Sequence, residues 1–242
     1  MAWSLALIEQ AGPACVAAKL QLACFERLGA PGWGALQETA EAARAAGLLV
    51  IADGKRGDVP VTAAAYGQAM VGETDTPWGS VTGLGVDAFT ANPLLGADAL
   101  EPLIAAAESA NAGVFALVRT SNPGAAELQD QPPESPLHER LAAIVDAAAD
   151  RLPGSGELSG MGAVVGATAP QLIERLRELM PRATFLIPGV GAQGGKPEDL
   201  GPAFSPAPSA ALVAASRGIA ADPEPAAAAE RLRAAVWQAS GA

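Results

Sequence analysis

The stretch Leu48-Leu49-Val50-Ile51-Ala52-Asp53-Gly54-Lys55-Arg56-Gly57-Asp58-Val59-Pro60-Val61-Thr62 decides how this chain is read. Its opening residues are apolar, uncharged and partly β-branched, the pattern of a buried strand over 48–53. A carboxylate, an ammonium and a second carboxylate then follow within six residues. Asp53 and Lys55 are two apart, which points them to the same side of a strand end. Asp58 lies past a glycine and can turn back or reach a neighbouring chain. Charges at the end of a buried strand are costly unless they pair or do chemistry. Taken alone, so short a charge pattern reads first as a salt-bridged strand end with a solvated loop after it, because such strings arise by chance. The rest of the chain has to decide.

Working outward, apolar runs alternate with helical patterns. Towards the N-terminus, residues 35–46 read as a helix closed by Gly47, Cys15 to Lys19 as a short strand, and 3–13 as a weak helix. Towards the C-terminus come a helix over 62–71, the strand 86–90 ending in Asn92-Pro93, and a helix over 97–110. The strand 114–118 then runs into Thr120-Ser121-Asn122-Pro123-Gly124. The polar, proline-rich segment 124–136 reads as an irregular loop, followed by a helix over 137–150 and a Gly/Ser-rich link, 153–162. The strand 163–167 leads to Thr168-x-x-Gln171, a capping-box start, and to a helical face of Leu172, Ile173, Leu176 and Leu179. Strands at 184–187 and 211–215 and a helix from Asp222-Pro223 to about 239 complete the pattern.

Such alternation means a parallel sheet covered by helices, in one domain over 1–242. Each polar motif falls just after a strand: Lys19, Asp53 and Lys55, Asn92, Ser121, Gln193 and Arg217. A (β/α)8 barrel of the TIM type brings such points together on one face. Seven strands are legible, so the barrel would need one more, best placed before residue 3.

Composition narrows the function. The 242 residues carry 15 basic and 26 acidic side chains, a net charge of −11, which argues against a nucleic-acid surface. A small phosphate ligand stays open, since it needs only one or two cations and some backbone N–H groups. Cys15 and Cys24 are not spaced as a zinc site and read as buried small hydrophobes of a reduced, cytoplasmic protein. With His138 the lone histidine, no His-based metal site or triad is expected. No uncharged apolar run is long enough for a membrane span, and the start lacks the basic segment of a secretory signal.

Two late segments read as a phosphate cradle. Gly189, Gly191, Gly194 and Gly195 let backbone N–H groups approach an anion. Ser216-Arg217-Gly218 ends the last strand, where Arg217 can give two parallel donors to phosphate oxygens and Gln193 can donate from its amide. In barrels the loops after the last two strands are the common phosphate site, although a lone glycine-rich loop is usually an ordinary turn.

With both ends in view, the chain resembles the orotidine 5′-phosphate decarboxylase family over most of its length. Asp53-x-Lys55-x-x-Asp58 with Val59 and Thr62 is similar to that family's D-x-K-x-x-D-I-x-x-T signature, in its Lys-Arg-Gly-Asp form. Lys19 with Gln21 and Phe25-Glu26-Arg27, Asp87 to Pro93, Thr120 to Pro123, Val165 to Thr168, Pro188 to Gly195 and Ser216 to Ile219 follow in the family's order. The resemblance implies cofactor-free conversion of orotidine 5′-phosphate to UMP in a homodimer, in pyrimidine biosynthesis. It implies that Lys55 gives the proton to C6, within an alternating array of Lys19, Asp53 and Lys55. Asp58, Val59 and Thr62 would enter from the partner subunit. Ser121 and Asn92 would lie at the substrate, while Gln193, Arg217 and Gly218 would hold its phosphate.

The chemistry suits these residue types. Loss of CO2 leaves carbanion character at C6, which a nearby ammonium stabilises and then protonates without a metal. The departures are that Leu20, Gly54 and Pro60 stand where the family has proline, alanine and glycine. The family's first strand, with a Gly-Ile-Asp-Pro-like turn whose aspartate contacts the ribose, has no recognisable counterpart. A divergent or inactive member that binds a pyrimidine nucleotide is therefore the other expectation. So is a magnesium-dependent sugar-phosphate enzyme such as a hexulose-phosphate synthase, which uses a related D-x-K-x-x-D motif.

Overall fold

In the computed structural model, which describes residues 2–154 and 156–242, the apolar runs form strands β1 (Ala17–Gln21), β2 (Leu49–Arg56), β5 (Ala88–Ala91), β6 (Gly113–Arg119), β7 (Ser159–Val165), β8 (Ala183–Pro188) and β9 (Ala211–Ala214). A hairpin of β3 (Glu73–Thr76) and β4 (Gly79–Thr82) stands apart from them. The helices are α1 (Ala2–Ala11), α2 (Leu22–Glu26), α3 (Ala30–Ala45), α4 (Pro60–Met70), α5 (Ala97–Ala110), α6 (Ala125–Leu128), α7 (Leu137–Ala147), α8 (Ile173–Leu179), α9 (Arg217–Ala220) and α10 (Pro225–Ala239).

The seven strands pair in parallel, in the order β1-β2-β5-β6-β7-β8-β9. They make a nearly closed α/β barrel, and among the described residues no strand pairs with both β9 and β1. Alternation along the strands sorts the side chains. Val50, Ala52, Phe89, Val114, Ala116, Met161, Ala163, Phe185 and Ile187 belong to the large core between strands and helices. Ile51, Ala88, Phe115, Val164 and Leu186 form the smaller core inside the barrel, with Ala17, Leu117, Leu212 and Ala214 packed against it. Position 51 therefore faces inward, and so does position 53.

Several expectations need correction. Leu49 is exposed, since it is the first residue of β2, ahead of the inner core that begins at Ile51. β7 begins at Ser159, so the last four residues of the Gly/Ser-rich link are strand; Gly162 is needed there because a Cβ would meet a Phe115 ring atom at 2.6 Å. The 124–136 loop contains α6. Thr168 does not cap a helix. Its hydroxyl donates instead to the Ser121 carbonyl at 3.0 Å, and a 3-10 turn, Pro170–Leu172, precedes α8. Cys24 is exposed and Cys15 only half-buried. The hairpin has no counterpart in the sequence pattern, because nearly all of it is exposed and carries no burial signal.

Candidate active site

The site grows from the inward layer at the C-terminal ends of β1, β2 and β5. Lys19 follows Ala17, Asp53 follows Ile51 and Thr90 follows Ala88, each one inward step further along its strand. Lys19 Nζ and Lys55 Nζ lie 2.5 Å from Oδ2 and Oδ1 of Asp53 respectively, so one carboxylate is shared by two ammonium groups. The Thr90 hydroxyl donates to Asp53 Oδ1 at 3.0 Å and accepts from the Lys55 N–H at 2.8 Å. The sequence signal for Thr90 is its place at the end of the 86–90 strand, two residues before Asn92.

Lys55 shares the inward side of β2 with Ile51 and Asp53, as strand alternation provides, but it does so on an irregular stretch of backbone. The β2–β5 register shifts between Ala52 and Arg56, and Lys55 sits at φ +50°. Such irregularities are common beside active sites, and here the side on which Lys55 lies is unchanged. Burial by itself would raise the Asp53 pKa, but the attraction of Lys19 and the bonds from both lysines outweigh it and hold the carboxyl below its ordinary value. Asp53 is buried, whereas 41% of the Lys55 side-chain surface is open to solvent. The result is a charged, oriented ammonium at the barrel mouth, supported from below.

Asp58 does not join this array within the chain. Its Oδ1 accepts the N–H of Val59 at 2.7 Å at the start of α4. Val59 is exposed, and Thr62 is half-buried in the first turn of the same helix. Arg56, beside them, pairs with Glu26 of α2 and lies over the Tyr66 ring. Asn92 spends its side-chain oxygen on the N–H of Leu94 (3.1 Å), while its own N–H donates to the Arg56 carbonyl at 2.7 Å. It thus braces the end of β2, where a Cβ on Gly57 would meet the Asn92 carbonyl at 2.5 Å.

On the other side of the mouth, Ser121 follows β6 and packs against two glycines. A Cβ on Gly166 would lie 2.8 Å from its Cα, and one on Gly189 would lie 3.1 Å from its Cβ. The loop after β8 turns through Gly189, Gly191 and Gly194 at φ +101°, +75° and +94°. Gly191 and Gly195 N–H groups bond inside the loop, to Gly195 and Gly189 carbonyls. Gln193 is exposed on it, and Arg217 and Gly218 are exposed after the adjacent strand β9. Among the described residues the Arg217 side chain has no internal ion pair. The two segments of the expected cradle therefore rise from neighbouring strands, with their polar ends open.

The chain as a whole has counterparts among known proteins. Residues 3–232 match the family described as orotidine 5′-phosphate decarboxylase / HUMPS. The chain belongs to that family. A relative from Deinococcus radiodurans, named orotidine 5′-phosphate decarboxylase, is 42% identical over 217 residues, covering 89% of this chain and 75% of the relative. One of the same name from Rhodopirellula baltica is 42% identical over 206 residues, covering 83% of this chain and 66% of the relative, just under two thirds of its length. Among solved structures, the OMP decarboxylase of Leishmania donovani superposes with a TM-score of 0.77 at 33% identity, covering 100% of this chain and 88% of that one.

Within this family member, sequence reading missed the buried polar work around the site. Arg119 and His138 are buried and meet at Asp130. Arg177 is buried beneath the barrel, where its guanidinium bonds to the carbonyls of Met180, Ala183, Ala203 and Ala210 and stacks 3.7 Å from the Phe185 ring centre. No group of His, Cys, Asp and Glu among the described residues is placed to hold a metal ion. No helix among them is long and apolar enough to cross a membrane.

Proposed function

We propose that this chain decarboxylates orotidine 5′-phosphate to UMP in pyrimidine biosynthesis. The observation that carries the reading is the sharing of Asp53 by Lys19 and Lys55 at the barrel mouth, in a chain of this family. In the proposed step the bond from C6 to the carboxylate breaks. CO2 leaves, and the electron pair stays at C6. The Lys55 ammonium stabilises that charge and then delivers its proton to C6. Asp53 and Thr90 keep Lys55 aimed, and no cofactor takes part. Ser121 contacts the pyrimidine, with Asn92 at the substrate's edge, and Gln193, Arg217 and Gly218 take the phosphate. Binding energy from that remote group then helps to align the base.

The reading includes a homodimer in which Asp58, Val59 and Thr62 complete the partner's site. The exposed Val59 and the separation of Asp58 from the array within one chain support this. It takes 1–242 as one domain working in the cytoplasm, with a small nucleotide as its ligand and neither nucleic acid nor membrane as partner; the net charge of −11 and two free thiols support that setting. The test is product identification. Orotidine 5′-phosphate incubated with the protein and a chelator should yield UMP and CO2. Turnover only of a hexulose phosphate with magnesium would support the other branch of the family, and UMP binding without turnover would support a repurposed member.

A further inference from the structure

We infer that Arg119, Asp130 and His138 form a clamp that positions Ser121, a role that rests on the decarboxylase reading of the site. β6 should carry Arg119 into the barrel, two residues after the inward Leu117. A register shift between Leu117 and Arg119 prevents this and pairs Arg119 with the outward Val165. The bulge thus turns a cation away from the barrel interior and towards α7, one residue before the substrate loop begins. The shift has a clear physical effect. An inward Arg119 would bring a third positive charge into the barrel that holds Lys19 and Lys55.

Outside the barrel, Arg119 donates through Nε (2.8 Å) and Nη2 (3.0 Å) to the two oxygens of Asp130, a fork-to-fork pair across eleven positions of sequence. His138, in the first turn of α7, turns Nδ1 to Asp130 Oδ1 (3.1 Å) and to the Gln129 carbonyl (2.8 Å). Both neighbours are acceptors, so Nδ1 carries a proton. Gln129 reaches back as well: its Oε1 accepts the Thr120 N–H at 2.8 Å and its Nε2 donates to the Thr120 hydroxyl at 3.0 Å. The returning end of the 121–129 loop is therefore bonded, residue for residue, to the departing end.

Ser121 is the first residue free of this clamp. It is fixed from the other side, where Thr168 donates to its carbonyl and the Gly166 N–H donates to the Arg119 carbonyl at 2.7 Å. Beyond it the loop is open, with Asn122, Pro123 and Leu128 exposed. One residue, Thr120, separates Arg119 from the side chain assigned to the pyrimidine, so a change in the ion pair reaches the substrate through Ser121. Arg119, Asp130 and His138 are positioning residues. None of them touches the array at Asp53.

Asp130→Asn is the test variant, because Asp130 is only partly buried and its loss removes no core volume. Amide hydrogen exchange of the segment 119–130 should rise at least tenfold in the variant without substrate. With orotidine 5′-phosphate, kcat/KM should fall about tenfold, while inhibition by inorganic phosphate stays unchanged. Ser121→Ala should produce its own loss, and the double variant should lose no more than the larger of the two. Unchanged exchange in D130N, or losses that multiply in the double variant, would overturn the clamp. Wild-type protein that is folded but inactive would instead defeat the decarboxylase reading, and exchange alone would then decide whether the clamp holds the segment.

Discussion

Lys55 places its Nζ 2.5 Å from Oδ1 of Asp53 while its own backbone sits at φ +50°. A long side chain in the left-handed region costs roughly 1 kcal/mol or more, and such strain persists where the surroundings over-determine it. Here Thr90 holds the Lys55 N–H and Asn92 holds the Arg56 carbonyl. Lys55→Gly should therefore be more stable than Lys55→Ala by about 1 kcal/mol, because glycine adopts that φ without penalty. Urea denaturation of both inactive variants checks this. Equal midpoints would mean that the left-handed conformation stores no strain.

Asp53 should show its support through pH. Lys19 and Lys55 outweigh burial and lower its folded-state pKa, so the unfolded chain binds the proton more readily. The stability it contributes is present above the unfolded pKa of about 3.9 and is lost as pH falls through the folded value. At neutral pH, Asp53→Asn should cost about 2–4 kcal/mol, since two ammonium groups lose their shared partner. The gap between wild type and variant should narrow below about pH 4. Thermal unfolding over a pH series measures it, and a gap that widens in acid would contradict the assignment.

The phosphate end predicts a different kinetic signature. Arg217→Ala should raise KM for orotidine 5′-phosphate on the order of 10- to 100-fold, the loss of a charge-assisted pair. Steady-state kinetics together with UMP titration separate this from damage to the array. Unchanged affinity would remove Arg217 from the phosphate.

Asp58 predicts complementation between subunits. Lys55→Ala and Asp58→Ala proteins should each be inactive alone. Mixed after mild unfolding, they should recover about a quarter of wild-type activity, because half the dimers are mixed and each of those has one intact site. No recovery, with mixed dimers shown to form, would place Asp58 in its own chain's site.

Much of this arrangement is legible in the sequence because each strand is a short apolar run ending in a polar residue. Lys19 and Asp53 lie on β1 and β2, and Ser121, Gln193 and Arg217 lie in the segments that follow β6, β8 and β9. What escapes is the set of features that depart from a regular strand. The register shift that turns Arg119 outward, and the left-handed backbone at Lys55, are not displayed by one chain's sequence. Arg177 escapes because its partners are backbone carbonyls from separate segments, and the β3–β4 hairpin because it buries almost nothing.

The central claim is tested most directly by ultraviolet absorbance, with orotidine 5′-phosphate, no added metal, and Lys55→Ala beside the wild type. The account predicts that absorbance changes with wild-type protein and stays flat with the variant, while the variant still binds UMP. Equal turnover in the variant, or none in folded wild-type protein, would contradict it.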